Sequence, residues 1–193
     1  MSVLADLSLG DIVARVASTD RTPGAGPSAA WACALAAGLV EMVSGVELDG
    51  GPADRDAARR RRDRAAALRS EALALADRDV AVYSEVVAIR GHGGEPGDDD
   101  RLRAALSVAA EPPVAIVEAA AELTRMAADA VREAHGSIRG EAFAAVTLAE
   151  ATVRMAVPLV DDNLGGAPDD PRLARVHELA EGARADLERA LAG

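Results

Sequence analysis

Asp79 stands on what is otherwise the apolar stripe of a long helical segment, between Leu75 and Val82. A carboxylate there must be ion-paired, hydrogen-bonded or protonated, because an isolated buried charge is costly. Such groups are candidates for acid/base chemistry, with a structural pair to one of the chain's many arginines as the alternative. Tyr83, the only tyrosine, follows one helical turn later and can donate or accept a hydrogen bond. Glu141 opens another helical segment in line with Leu148, Met155 and Leu159. It is either a first-turn carboxylate favoured by the helix dipole or an acid/base at a subunit seam. Glu150 lies on the Val146/Val153/Val157 face with Arg154 four residues on, and reads as half of an i,i+4 ion pair. Asn163 closes the same segment and reads first as a C-cap.

A second concentration of unusual residues is the turn Thr22-Pro23-Gly24-Ala25-Gly26-Pro27-Ser28, which runs straight into WACALAAGLVEMVSG. Glycines let a backbone approach a ligand or another backbone closely, and the helix start supplies free N–H donors. The simpler account is a tight helix entry that allows close packing. No dinucleotide fingerprint is involved, since the GAG of the turn follows no strand. His92, His135 and His177 lie far apart and make no metal-ligand spacing; Asp98, Asp99 and Asp100 read as solvated, with Asp100 a helix N-cap. Neither a metal site nor a phosphate loop is expected.

The elements that must position these residues are all helical. The periodicity predicts helices over Leu7–Thr19, Ser28–Val46, Asp54–Arg90, Arg101–Ala110, from Pro112-Pro113 to His135, Gly140–Asn163 and Asp170–Leu191. Pro112-Pro113 ends one helix and opens the next, GHGGEPGDDD over 91–100 is the clearest break, and Gly136 suits a helix C-terminus. The segment Gly140–Asn163 carries two apolar faces: Val146, Val153, Val157, Val160 and Leu164 on one, Leu148, Met155 and Leu159 on the other. A helix apolar all round is central or shared with a partner. The reading is an all-α single-domain helical bundle over residues 1–193 that forms a closely packed or intertwined homodimer.

Composition agrees with close helix packing. Half of the 193 residues are hydrophobic but only 2% are aromatic, so the core must be built from Ala, Leu, Val and Met. A net charge of −11, with arginine as the only basic side chain, argues against a nucleic-acid partner. Cys33 is the sole cysteine, which excludes an intrachain disulfide and leaves a buried, inert thiol as its expected state. The longest uncharged apolar run, Ser28 to Val40, is short of a bilayer span, and MSVLADLSLGD has no cationic leader region. The expectation is a soluble, cytoplasmic protein with no membrane partner.

With these residues in place, a family resemblance emerges. TPGAGPSAAWACALAAGLVEMVSG resembles the TPGGGSVAA-to-helix signature of the cyclodeaminase/cyclohydrolase family, which includes the C-terminal half of formimidoyltransferase-cyclodeaminase and bacterial methenyltetrahydrofolate cyclohydrolases. LADRDVAVYSEVVA is similar to that family's D-x-x-A-[YF] segment, and EPPVAIVEAAAEL to its VPLxIAE helix. HGSIRGEAFAAVTLAEA, ending in DDNL, resembles its GN…SD segment and closing INL. The turn departs from the pattern at Ala25 and Pro27, Ser137 replaces the GN asparagine, and Leu159 stands where another asparagine is expected.

The resemblance implies an all-α dimer that binds a tetrahydrofolate derivative as substrate, near the subunit interface and with no permanently bound cofactor. The implied chemistry is closure or opening of a one-carbon bridge, by cyclodeaminase or cyclohydrolase reaction. By position it assigns Glu141 and Asp79 as catalytic candidates, and Thr22, Pro23, Gly24, Ala25, Gly26, Tyr83 and Asn163 as substrate-binding ones. The alternatives are a divergent member acting on a non-folate small molecule, and a non-catalytic helical dimer.

Overall fold

Alanine and glycine are so frequent that helices can approach closely, and the architecture follows from that. The computed structural model describes residues 4, 7–20, 23–50, 55–92, 97–136 and 138–192, with the backbone alone at 50 and 92. Among the described residues seven helices follow in order: α1 (Leu9–Val16), α2 (Ala25–Gly50), α3 (Arg55–His92), α4 (Asp98–Ala109), α5 (Glu111–Glu133), α6 (Ile138–Leu164) and α7 (Pro171–Ala192). Among the described residues there is no strand. Thr22 lies outside the described residues.

Helix α2 is the central element, packed chiefly on α3 and α6 and also on α5. Ala29, Ala30, Cys33, Ala36, Ala37, Val40 and Val43 on its inner face are fully buried. It starts at Ala25, three residues before the predicted start, because the end of the Gly/Pro turn is itself the first helical turn. Pro27 is tolerated there, where a backbone N–H has no intrahelical acceptor. Cys33 meets its expectation: burial pushes its thiol up to about 12, out of reach of thiolate chemistry.

Two predicted caps change on inspection. The N-cap of α4 is Gly97, held in the left-handed region at φ +93°, so Asp100 is not the cap. Asp98, Asp99 and Asp100 all fall in the first turn of α4, where the helix dipole favours carboxylates. At the end of α5 the cap residue is Ala134, and Gly136 takes the left-handed turn at φ +62° two residues later. The Glu150–Arg154 pair forms as predicted, at 2.9 Å.

An ion cluster ties α2, α3 and α5 together at the far end of the bundle from the Gly/Pro turn. The guanidinium of Arg61 donates to Ser44 Oγ (3.0 Å), to Glu133 (2.9 Å) and to Glu47, while the arginine is only 9% exposed. Three stretches, Ala25–Asp49, Asp98–Glu133 and Ile138–Leu164, are long and apolar enough to cross a membrane by length and composition. The sequence-based expectation counted only uncharged runs, which is why it found none. In the bundle, 44–50% of each stretch is buried within the protein itself.

Candidate active site

Three helices bring chemistry to one place. The entry to α2 and its first turn supply Gly24, Ala25 and Gly26; α3 supplies Asp79 and Tyr83; the last turns of α6 supply Leu159, Asp162 and Asn163. Together they line a cavity of about 210 Å³. Residues 79 and 83 share a face because they are one turn apart. Leu159, Asp162 and Asn163 share a face at spacings of three and four.

The sequence requirement is sharpest at Gly26. A methyl group built on its Cα would overlap both carboxylate oxygens and Cγ of Asp79, well inside any real contact distance. The carboxyl group of Asp79 therefore lies directly against the α2 backbone at its first turn. The N–H groups of Ala25 and Gly26 have no intrahelical acceptor there, and the positive end of the helix dipole faces the carboxylate. Burial works in the opposite direction and pushes the Asp79 carboxyl up to about 6. Among the described residues no arginine pairs with it, so the structural ion pair is not its explanation. A carboxyl that changes charge near pH 6 in a partly dry cavity can both take and return a proton close to neutrality.

Asn163 is not a simple C-cap. Its Nδ2 donates to the carbonyl oxygen of Ala109 across 3.0 Å. That carbonyl lacks a helical partner for a reason written in the sequence: the residue four positions on is Pro113, which has no N–H. The neighbouring carbonyl of Ser107 accepts from Arg172 at 2.9 Å, and Ser107 Oγ accepts from the same guanidinium at 2.8 Å. Asp170 grips that guanidinium in turn, at 2.9 and 2.7 Å, and Arg172 holds the Asp170 carboxyl at about 2.

Glu141 is not brought to this cavity within one chain. It is exposed in the first turn of α6, 22 residues before Asn163, or about 33 Å along the helix at 1.5 Å per residue. Pro23, buried just before α2, does not line the cavity. Sequence reasoning missed Asp162, whose signal was its spacing from Leu159 on the α6 face that points at α2 and α3. It also missed Arg172 and Ser107, for which no local signal exists.

Larger grooves carry less chemistry. One of about 530 Å³ between α3 and α5 is lined by Arg64 with Glu122, and by Arg78 facing Glu111, so its charges already satisfy one another. Another of about 640 Å³ beside α1 and α2 is lined almost wholly by apolar side chains. Among the described residues no group of three or more His, Cys, Asp or Glu is placed to hold a metal ion.

Comparison with known proteins gives a family and a fold. The model of the family described as Formiminotransferase-cyclodeaminase matches residues 8–182. The fold is similar to that of the crystal structure of formiminotetrahydrofolate cyclodeaminase from Thermotoga maritima, at TM-score 0.79 and 22% identity, over 96% of this chain and 92% of that one. No curated protein sequence matches.

Proposed function

Because the chain belongs to the formiminotransferase-cyclodeaminase family, we propose that it is a cytoplasmic one-carbon enzyme acting on a tetrahydrofolate derivative, with Asp79 as its acid/base. The observation that carries this reading is the cavity in which a carboxyl poised at about 6 meets the α2 N-terminus, Tyr83 and Asn163. In the cyclodeaminase direction, folate N10 attacks the protonated formimino carbon. The Asp79 carboxylate accepts the N10 proton and returns it to the amino group, ammonia leaves, and the methenyl cation forms with charge conserved. In the cyclohydrolase direction, the same carboxylate takes the proton from a water attacking the methenyl carbon. The free N–H groups of Ala25 and Gly26 and the Tyr83 hydroxyl are the donors available to polar groups of the substrate.

Purified protein given formiminotetrahydrofolate should release ammonia in step with methenyl absorbance. Given methenyltetrahydrofolate, it should speed the loss of that absorbance. Rates equal to the buffer blank in both assays would rule out folate turnover. Glu141→Gln should retain activity within about threefold, since one chain does not bring Glu141 to the cavity. A loss as large as that of an Asp79 variant would place the partner's copy of this segment in the site.

A second reading rests on the size of the cavity. Its 210 Å³ lies below the ~300–1,000 Å³ usual for small-molecule sites, and no arginine lines it to receive a carboxylate tail. That favours related amidine or imine chemistry on a smaller molecule. Competition by folate in a binding assay separates the two.

The homodimer has a candidate face, and α6 is not the strongest one. Of the two apolar α6 rows, Val146, Val153, Val157, Val160 and Leu164 are buried, whereas Leu148 is half-buried, Met155 is 41% exposed and Leu159 lines the cavity. The outward row of α2 is more exposed: Ala32, Leu35, Leu39, Met42 and Val46 repeat at spacings of three and four, the pattern of a helix-pairing seam. Leu35 is 62%, Met42 43% and Val46 47% exposed, and α1 adds Leu9, Val13 and Val16 beside them. Light scattering should give twice the 19.7 kDa chain mass for the wild type, and the single-chain mass for the double variant Leu35→Glu/Met42→Glu. A monomeric wild type would refute the dimer.

A further inference from the structure

We propose, resting on the homodimer reading above, that α1 is a clasp for a second copy of this chain. The two copies pair α2 against α2 in antiparallel fashion, and Met42 and Val46 of the partner subunit seat in the groove between α1 and α2.

Helix α1 has an apolar face with nothing in its own chain to cover it. Leu9, Ile12, Val13 and Val16 recur at helical spacing, and Ser8 caps the N-terminus by accepting from the Asp11 N–H at 3.2 Å. Yet among the described residues none of α1 is buried. Leu9 is 72% and Val13 59% exposed, and α1 packs substantially on no other helix. A helix this short is marginal in water without tertiary contacts. The segment is tethered at both ends instead: Leu4 is buried with its N–H donating to Asp77 of α3 at 2.8 Å, and Pro23 is buried ahead of α2. Between these tethers α1 faces Trp31, Ala32 and Leu35 of α2 across an apolar groove of about 640 Å³.

Two glycines of α2 point to a second backbone as the occupant. Gly38 and Gly45 lie two turns apart on the outward side, each next to a member of the exposed row, Leu39 and Val46. A methyl group at Gly45 would meet nothing, and one at Gly38 only the Arg69 side chain at an ordinary 3.9 Å. The chain's own packing therefore does not require glycine at either place, although each weakens the helix relative to alanine. Close approach of another helix does require it.

The same row fixes the register. Its midpoint between Ala32 and Val46 is Leu39, so a two-fold axis there sets Val46 of the partner subunit opposite Ala32, and Met42 of the partner subunit beside Leu35. Ala32 and Leu35 are the α2 wall of the groove. Electrostatics selects the antiparallel direction. Glu41 and Glu47 are paired within the chain, to Arg69 and Arg61, while Asp49 adds its charge to the negative C-terminal end of the helix dipole. Parallel pairing would set two such ends side by side. Antiparallel pairing lays each beside the positive N-terminal end of the other α2, where α1 also brings Arg15.

Cross-linking of full-length protein with a short bismaleimide reads the direction. Ala32→Cys alone and Val46→Cys alone should give no covalent dimer, because like positions lie about 21 Å apart in an antiparallel pair. An equal mixture of the two should give one, above the background that buried Cys33 sets in the wild type. Self-cross-linking of either single variant, or no product from the mixture, would overturn the arrangement. Gly45→Leu should weaken dimerisation at least tenfold by light scattering, yet leave urea stability no lower in the Leu35→Glu/Met42→Glu background. A Gly45→Leu dimer as tight as wild type would overturn the close approach. Amide hydrogen exchange over Leu9–Val16 should be at least tenfold slower in the wild-type dimer than in Leu35→Glu/Met42→Glu, and equal exchange would overturn the clasp. A monomeric wild type refutes the homodimer itself, whereas a dimer without the mixed cross-link refutes only this way of forming it.

Discussion

Asp79→Asn should abolish most turnover and, at neutral pH, make the protein more stable. The loss follows from the chemistry: an amide cannot relay a proton, and removal of a positioned acid/base costs on the order of 10²–10⁴ in rate. The gain follows from burial. The Asp79 carboxyl ionises at about 6 in the folded protein against an ordinary value of 3.8, so the folded state holds its proton more tightly than the unfolded chain does. Stability contributed by this group is greatest below about pH 4, is lost as pH rises towards 6, and stays at the lower plateau above that. Asparagine, almost the same in shape, has no such loss. The difference corresponds to about 3 kcal/mol at most, and partial access of solvent reduces it to about 1–2 kcal/mol.

Urea unfolding of both proteins at pH 4 and pH 7.5 measures this directly. The variant should be more stable at pH 7.5 and indistinguishable at pH 4. In the wild type, turnover should fall as pH drops below about 6, as the carboxylate becomes protonated. A variant less stable than wild type at pH 7.5 would mean that the carboxylate is held by favourable partners. A variant that keeps its rate would remove Asp79 from the mechanism. The expected combination, lower activity with higher stability, is what a functional group kept in an unfavourable setting produces.

The sequence made Asp79 conspicuous for the same physical reason that the structure finds it unpaired. A carboxylate on an apolar stripe breaks the pattern of its helix, and only α3 is needed to see that. The helix order was legible because proline, glycine and apolar period mark helix ends locally. The position of Glu141 was not. A motif written along one helix, Glu141 to Asn163, looks like one site on paper, but the 1.5 Å rise per residue separates its ends by about 33 Å. The clamp from Arg172 to Ser107 was equally hidden, because its partners are 65 residues apart and each is unremarkable in its own helix. The Asn163–Ala109 bond was half visible: Pro112-Pro113 announces that the carbonyls of Val108 and Ala109 need other donors, although it does not say which side chains supply them.

The Gly/Pro turn gives the last and most demanding expectation, because the altered position Ala25 differs in kind from the kept Gly26 beside it. Ala25 is exposed, so a methyl group there meets solvent or ligand. Gly26 is buried, and a methyl group there meets the Asp79 carboxylate. Its backbone is ordinary helix, outside the left-handed region, so the glycine is required by proximity and not by conformation. In an unconstrained helix Gly→Ala would stabilise by about 1 kcal/mol. Here Gly26→Ala should instead cost about 1–3 kcal/mol through overpacking, or push the carboxylate aside. Either outcome should lower turnover at least a hundredfold, since displacement of a reacting group by roughly 1 Å is enough to do so.

Loss of activity alone would not separate these causes, but a double-variant cycle does. With Asp79→Ala already in place the clash is gone, and Gly26→Ala should then be neutral or stabilising, with a coupling of at least about 1 kcal/mol between the two sites. Equal costs of Gly26→Ala in both backgrounds would show that something other than the carboxylate forbids a side chain there. It would also separate the turn from the acid that it shelters.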